Sequence, residues 1–210
     1  MAPAAGFDDQ RSAMQVYAKE GIILNRLASG GCRTSAKYGR VGGYRAIEKA
    51  LTESPEEIIQ RLEASGLRGR GGAGFPTGKK WRAVSRQAAS EKFVVANADE
   101  GDPGAYIDRF IMEDDPYCLI EGLLIAGYAV EATRGYIYLR KEYPQAQAVL
   151  TEALSEARSE GWLGKHIAGS SFSFDIELVM GKGSYICGEE TSLLNSIEGR
   201  RPEVWSAPLC

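Results

Sequence analysis

Three short apolar runs, separated by helix-like segments, constrain the fold more than any other feature of the chain. KFVVA (92–96), YIYLR (136–140) and FDIELVM (174–180) are rich in β-branched and aromatic residues and read as buried strands. Between the first two, Asp115-Pro116 opens an apolar helix running to about Ala132, with Gly135 beyond its end. Between the second and third, a helix from Gln145 to Glu160 is closed by Gly161. A last helix runs from about Glu190 to Glu198 and ends at Gly199. This alternation predicts an α/β domain: a parallel sheet with right-handed crossovers and flanking helices.

The chain ahead of the first strand is helical. A short helix is expected over Tyr44–Leu51. A better-marked one starts at Ser54, a natural N-cap, with Pro55 in the first turn and Glu57 three residues after the cap. Ile58, Ile59 and Leu62 give it one apolar stripe, and Gly66 is placed to end it. Residues 1 to about 20 are small and polar and predict a loose tail; from there to Gly43 no period emerges. The boundaries are therefore 1–42 for a partly flexible N-terminal extension and 43–210 for the main domain.

On parallel sheets, ligands gather beyond the C-terminal strand ends. Here those ends carry NADEGDPG after the first strand and GKGSYICGEE after the third, two unusual loops on one rim. Composition narrows the ligand. A net charge of -3 gives no bulk attraction to nucleic acid or acidic lipid. Four cysteines, no two close enough for a CxxC pair, and a single histidine, His166, argue against a zinc or iron–sulfur site. A reducing cytoplasm fits them better than a disulfide scaffold; Cys118 and Cys187 read as packing side chains and His166 as an exposed loop residue. The N-terminus lacks the basic and apolar regions of a signal peptide, and LIEGLLIAGYAV is too short to span a bilayer.

A further loop, GRGGAGFPTGKKW (69–81), packs five glycines, two lysines and one phenylalanine into thirteen residues. It is not a P-loop: the first glycine of that motif would fall on Ala73, and Lys80 stands where a hydroxyl is needed. Gly69, Gly71 and Gly74 satisfy the GxGxxG string, but they follow a helix rather than a strand, and Phe75-Pro76 breaks any immediate helix. A plain surface loop is one reading. The other is a cradle for a planar, phosphate-bearing cofactor, with Arg70, Lys79 and Lys80 supplying charge, Phe75 a flat face, and free backbone N–H groups the phosphate or ring-carbonyl contacts.

Asn97, Asp99, Glu100 and Asp102 fall within six residues at a strand end. A solvated acidic turn, a Mg²⁺ or Ca²⁺ site, and a set of acceptors for ribose or ribityl hydroxyls all fit that cluster. Glu189 and Glu190 stand at a helix N-terminus, where the macrodipole alone favours carboxylates. A carboxylate there would also meet an adenosine ribose diol and repel a 2′-phosphate.

GLRGRGGAGFPTGKKW (66–81), NADEGDPGAYIDR (97–109), IEGLLIAGYAVEAT (120–133), GYIYLRKEYP (135–144) and GKGSYICGEETSLLNSIEG (181–199) together resemble the NADH-binding flavoprotein subunit of respiratory complex I and the diaphorase subunits of NAD-linked hydrogenases and formate dehydrogenases. The resemblance implies a Rossmann-like FMN-binding domain that uses NAD(H), passes hydride from NADH to flavin, and has no side chain acting as general acid or base. Gly69, Arg70, Gly71, Gly72 and Lys80 would form the flavin-side loop, and Asn97, Asp99, Glu100 and the neighbouring Asp102 the ribityl and ring contacts. Tyr185, Gly188 and Glu189 would line the flavin from the other loop, Phe75 would stack on the dinucleotide, and Glu190 would lie near its ribose.

It also implies partners: a thioredoxin-like 2Fe-2S subunit and other iron–sulfur subunits of a larger complex, on the cytoplasmic side of the inner membrane. Two departures qualify it. Glu100-Gly101-Asp102-Pro103-Gly104 stands where complex I members usually read Glu-Ser-Glu-Pro-Gly, which looks more like the hydrogenase and formate dehydrogenase branch. After Arg200-Arg201-Pro202 the text drifts, and the chain stops before the family's ubiquitin-like and 4Fe-4S domains. The expectation is thus an N-terminal portion of a flavoprotein subunit, lacking the cysteines of its 4Fe-4S cluster, with an inactive interaction module as the alternative from another class.

Overall fold

The computed structural model describes residues 25–205. The tail expected over residues 1 to about 20, and Ser206 to Cys210, lie outside the described residues. In chain order the helices are α1 (Asn25–Ala28), α2 (Ser35–Arg40), α3 (Arg45–Ala50), α4 (Pro55–Ser65), α5 (Thr77–Ser85), α6 (Ile107–Asp114), α7 (Pro116–Val130), α8 (Pro144–Ser159) and α9 (Glu190–Ile197). The strands are β1 (Phe93–Ala98), β2 (Arg134–Leu139) and β3 (Asp175–Met180). They form one parallel sheet in the order β1-β2-β3, with Asn97 opposite Tyr138 and Tyr138 opposite Val179.

Each strand's alternation divides the molecule into layers. Val94, Ala96, Ile137, Leu139, Ile176 and Leu178 face the main core, which α7 and α8 cover. Val95, Tyr138 and Val179 face the other way and pack with Cys187, Leu193 and Ile197 beneath α9. Helices therefore lie on both faces, as a parallel sheet requires.

Local chemistry explains most element ends. Ser54 and Glu57 form a reciprocal capping box at α4, Glu57 N–H donating to Ser54 Oγ at 3.3 Å and Ser54 N–H to Glu57 Oε2 at 2.7 Å. Gly66, at φ 66°, closes the helix in the left-handed conformation.

One expectation is corrected. Pro76 does not prevent a helix: it is the N-cap of α5, which begins at the next residue, because a proline has no N–H to lose at a helix start. Gly135 lies beyond the end of α7, as expected; Glu131 takes the left-handed cap at φ 60°, and Gly135 is inside β2. A Cβ on Gly135 would stand 2.7 Å from Phe174 Cζ, so the glycine makes room for that buried ring.

The N-terminal helices are fastened by a carboxylate that hydropathy alone conceals. Glu121, inside the apolar α7, is 6% exposed. Its Oε1 accepts from Ala46 N–H and Ile47 N–H, both at 3.0 Å. Its Oε2 accepts from Tyr44 N–H at 3.2 Å and from the Tyr38 hydroxyl. The open first turn of α3 is thus satisfied by a side chain from another helix. Arg26 adds an ion pair to Asp115 at 2.7 Å, and Tyr38 and Cys32 join the main core. Among the described residues no helix is long and apolar enough to cross a membrane.

Candidate functional site

The loops after β1 and β3 meet across the C-terminal edge of the sheet. Asn97, the fifth residue of β1, points to the α9 side and donates from Nδ2 to the Gly188 carbonyl at 2.7 Å. Its Oδ1 accepts from Asp99 N–H at 3.1 Å, which bends the chain as it leaves the strand. Farther out, the Tyr185 hydroxyl donates to Asp102 Oδ1 at 2.6 Å. Gly101 lies under that ring: a Cβ there would be 2.8 Å from Tyr185 Cδ2. Gly188 is also close to its neighbour, though less so, with its Cβ position 3.3 Å from the Asp99 carbonyl oxygen.

The first glycine loop reaches this rim through α5. Its base is pinched by Gly69 N–H to the Phe75 carbonyl and Thr77 N–H to the Leu67 carbonyl, both 2.9 Å. From the first turn of α5, Lys80 Nζ pairs with Glu190 Oε2 at 2.8 Å. Lys80, Asn97, Asp99, Asp102, Tyr185, Gly188 and Glu190 are thereby brought together. Among the described residues the loop tip, Arg70, Gly71 and Gly72, makes no hydrogen bond to the rim. No protein atom lies within 4 Å of a Cβ built on Gly71 or Gly72, and Phe75 is 51% exposed, so the tip presents open backbone beside a flat ring.

The carboxylates of the two loops have different surroundings. Asp99 Oδ2 is buried without a hydrogen-bond partner. Burial raises the Asp99 carboxyl above the usual carboxylate range, with only part of the effect offset by Arg140. Glu100 is turned inward: Oε1 accepts from Asp108 N–H at 3.1 Å, and Oε2 from Arg109 N–H at 3.3 Å and the Tyr143 hydroxyl at 3.1 Å. Glu189 caps α9, accepting from Thr191 N–H and Ser192 N–H, both at 3.0 Å, and from Thr191 Oγ1 at 2.6 Å. Desolvation alone would raise its pKa, but these bonds outweigh it and hold the carboxyl below its ordinary value. Glu190 stays at the surface with Lys80. This arrangement disperses Asp99, Glu100 and Asp102, and among the described residues no group of three metal-ligating side chains forms.

Sequence reasoning gave no role to Arg140 and Tyr143, which stand behind the acidic loop, because the GYIYLRKEYP run that contains them shows nothing of what its side chains meet. It also missed that Lys141, after β2, lies across Gly183 of the second loop, whose Cβ position is 2.7 Å from Lys141 Nζ. A broad depression of about 770 Å³ runs along α8, lined by Thr34, Gln147, Thr151 and Glu156. It is open and holds none of the rim residues.

The chain belongs to the family of the Nuo51 FMN-binding domain, whose model matches residues 62–209. It is 48% identical over 189 residues to an NADH-quinone oxidoreductase subunit of Aquifex aeolicus, covering 89% of this chain and 44% of that protein. It is 49% identical over 171 residues to the HndC subunit of the NADP-reducing hydrogenase of Solidesulfovibrio fructosivorans, covering 81% of this chain and 35% of that one. Among solved structures it resembles an NAD⁺-reducing [NiFe]-hydrogenase in the H₂-reduced state, with a TM-score of 0.60 and 38% identity over 74% of this chain and 26% of that chain. The chain therefore spans less than half the length of these curated relatives.

Proposed function

We propose that this chain is the flavin- and dinucleotide-binding portion of an NADH:acceptor oxidoreductase subunit, its residues 43–210 forming an FMN/NAD(H) domain. One observation carries the reading: three loops from separate parts of the chain converge on one strand-end rim, joined by Asn97–Gly188, Asp102–Tyr185 and Lys80–Glu190. The donor set fits a flavin. The unpartnered Asp99 Oδ2 calls for a hydroxyl or N–H donor, and the open backbone at Gly71 and Gly72 gives a planar ring room to approach. Bound FMN would supply the redox chemistry, taking hydride from NADH and releasing electrons to iron–sulfur partners.

The chain's own residues bind and orient. Gly69, Arg70, Gly71, Gly72 and Lys80 hold the ring and its negative charge, and Asn97, Asp99 and Asp102 the polar side chain of the cofactor. Tyr185, Gly188 and Glu189 close the second side. Glu100 shapes the acidic loop from within. Phe75 offers its exposed ring to the dinucleotide, and Glu190 its carboxylate to the ribose. None of these roles moves a proton, so no general acid or base is assigned.

Partners in this reading are a thioredoxin-like 2Fe-2S subunit and further iron–sulfur subunits, on the cytoplasmic face of the inner membrane. A hydrogenase or formate dehydrogenase diaphorase is the second reading. Gly101 favours it, because a serine in its place would press on the Tyr185 ring.

The test is anaerobic. The purified chain is mixed with FMN, freed of unbound flavin, and given NADH while the visible flavin absorbance is followed. Retained flavin that bleaches supports the proposal. If neither this chain nor a full-length relative carrying it retains FMN, the proposal fails.

A further inference from the structure

The β2–α8 turn stands directly behind the acidic loop, and its contacts converge on Glu100. The Tyr143 hydroxyl donates to Glu100 Oε2 at 3.1 Å, and the Arg140 guanidinium donates to the Glu100 carbonyl oxygen. Arg140 N–H also reaches the Ala98 carbonyl at 3.4 Å. The Tyr143 ring is 8% exposed, with the guanidinium carbons of Arg140 and Arg109 at 5.0 and 5.4 Å from its centroid. Glu100 is thus gripped at its side chain and at its main chain by one turn.

The neighbours on either side are held differently. Asp99 keeps one oxygen without a partner, and Asp102 is engaged only at the rim, by Tyr185. In a loop with three carboxylates in four residues, some contact must decide which side chain turns inward. Removing Glu100 from the rim leaves Asp99 and Asp102 as the carboxylates that meet a ligand. Without the grip, only the Asp108 and Arg109 amides of α6 would hold Glu100 inward, leaving its carboxylate freer to swing toward Asp99 and Asp102 and add a like charge.

We propose that Tyr143 and Arg140 are positioning residues of the flavin site, acting through Glu100 to fix the acidic loop; this rests on the flavin reading above. They touch neither cofactor nor substrate. Arg140 additionally lies near enough to moderate the charge on Asp99.

The experiment uses the whole 210-residue chain and three variants: Tyr143→Phe, Glu100→Gln and the double substitution. FMN affinity is read by quenching of flavin fluorescence, and hydrogen exchange over residues 99–110 by mass spectrometry. Each single variant should weaken FMN binding about fivefold, the scale of one lost hydrogen bond of ordinary strength. The double variant should also lose about fivefold, because the two residues act through one contact, whereas independent effects would multiply to about 25-fold. Exchange at the Asp108 and Arg109 amides should quicken in Tyr143→Phe. Unchanged affinity in Tyr143→Phe, or multiplied losses in the double variant, would overturn the proposal. If wild type holds no FMN, the flavin reading is what fails for this chain. The exchange experiment then decides alone: faster exchange supports the grip on Glu100, and unchanged exchange refutes it.

Discussion

Lys80 Nζ lies 2.8 Å from Glu190 Oε2, so the first turn of α5 and the first residue of α9 are joined across the rim. Both side chains are more than half exposed, so the pair adds little to stability. Its value is in placing a carboxylate where a dinucleotide ribose is proposed to lie. Replacing that charge should relieve repulsion of a 2′-phosphate. In a complete subunit carrying this domain, Glu190→Gln is expected to raise the NADPH-to-NADH ratio of kcat/KM about tenfold, a modest electrostatic effect at a wet surface. A ratio equal to wild type removes Glu190 from the ribose site.

Glycines of the first loop divide into two kinds, and substitution separates them. A Cβ on Gly78 would stand 2.6 Å from the backbone nitrogen of Glu63, so α5 sits directly on α4 there. Gly78→Ala should destabilise the fold by about 1–3 kcal/mol, as overpacking does. A Cβ on Gly71 meets nothing within 4 Å. Gly71→Ala should leave thermal unfolding within ~0.5 kcal/mol of wild type while weakening FMN binding severely. Equal melting of the two variants would contradict this division, and wild-type flavin affinity in Gly71→Ala would show that the loop backbone is not the cradle.

Glu121 joins four donors in a dry setting, three of them backbone amides around the start of α3. Glu121→Ala leaves the Tyr44 and Ile47 amides and the Tyr38 hydroxyl buried without this acceptor. The expected cost is about 3 kcal/mol, read from urea unfolding. A loss under ~1 kcal/mol would mean that water or a shifted helix replaces the carboxylate.

How much of this was legible in the sequence depends on whether the determining contact was local. The α4 capping box lies within four residues, and Ser54-Pro55 with Glu57 announced it. The strands were readable from their β-branched and aromatic runs, and the rim from two glycine-rich loops at strand ends. Glu121 and Gly135 were not, because their partners, Tyr44 to Ile47 and Phe174, are distant in the chain. Pro76 misled because proline breaks a helix interior yet suits a helix start, and only tertiary support for α5 decides between them. Glu100 combines both kinds of contact: its motif marked it as a ligand residue, and its inward turn is held by the nearby Asp108 and Arg109 amides together with Tyr143, forty-three positions away.

The buried tyrosines give the fold an alkaline limit. Burial pushes the Tyr44 hydroxyl up to about 12. Burial and the bond to Glu100 push Tyr143 up to about 12 as well. Tyr38 and Tyr117, buried against Glu121 and Glu156, are also raised. In the unfolded chain these phenols ionise near their ordinary value of 10.0. Between that pH and about 12 the folded state holds more protons than the unfolded one, so stability must fall as pH rises. Below pH 10 the contribution is fully present. Urea midpoints should therefore be level from neutrality to about pH 9 and drop steeply above 10. Tyr44→Phe removes one of the linked protons and should make that decline shallower. A decline as steep as wild type in this variant would place the proton uptake elsewhere.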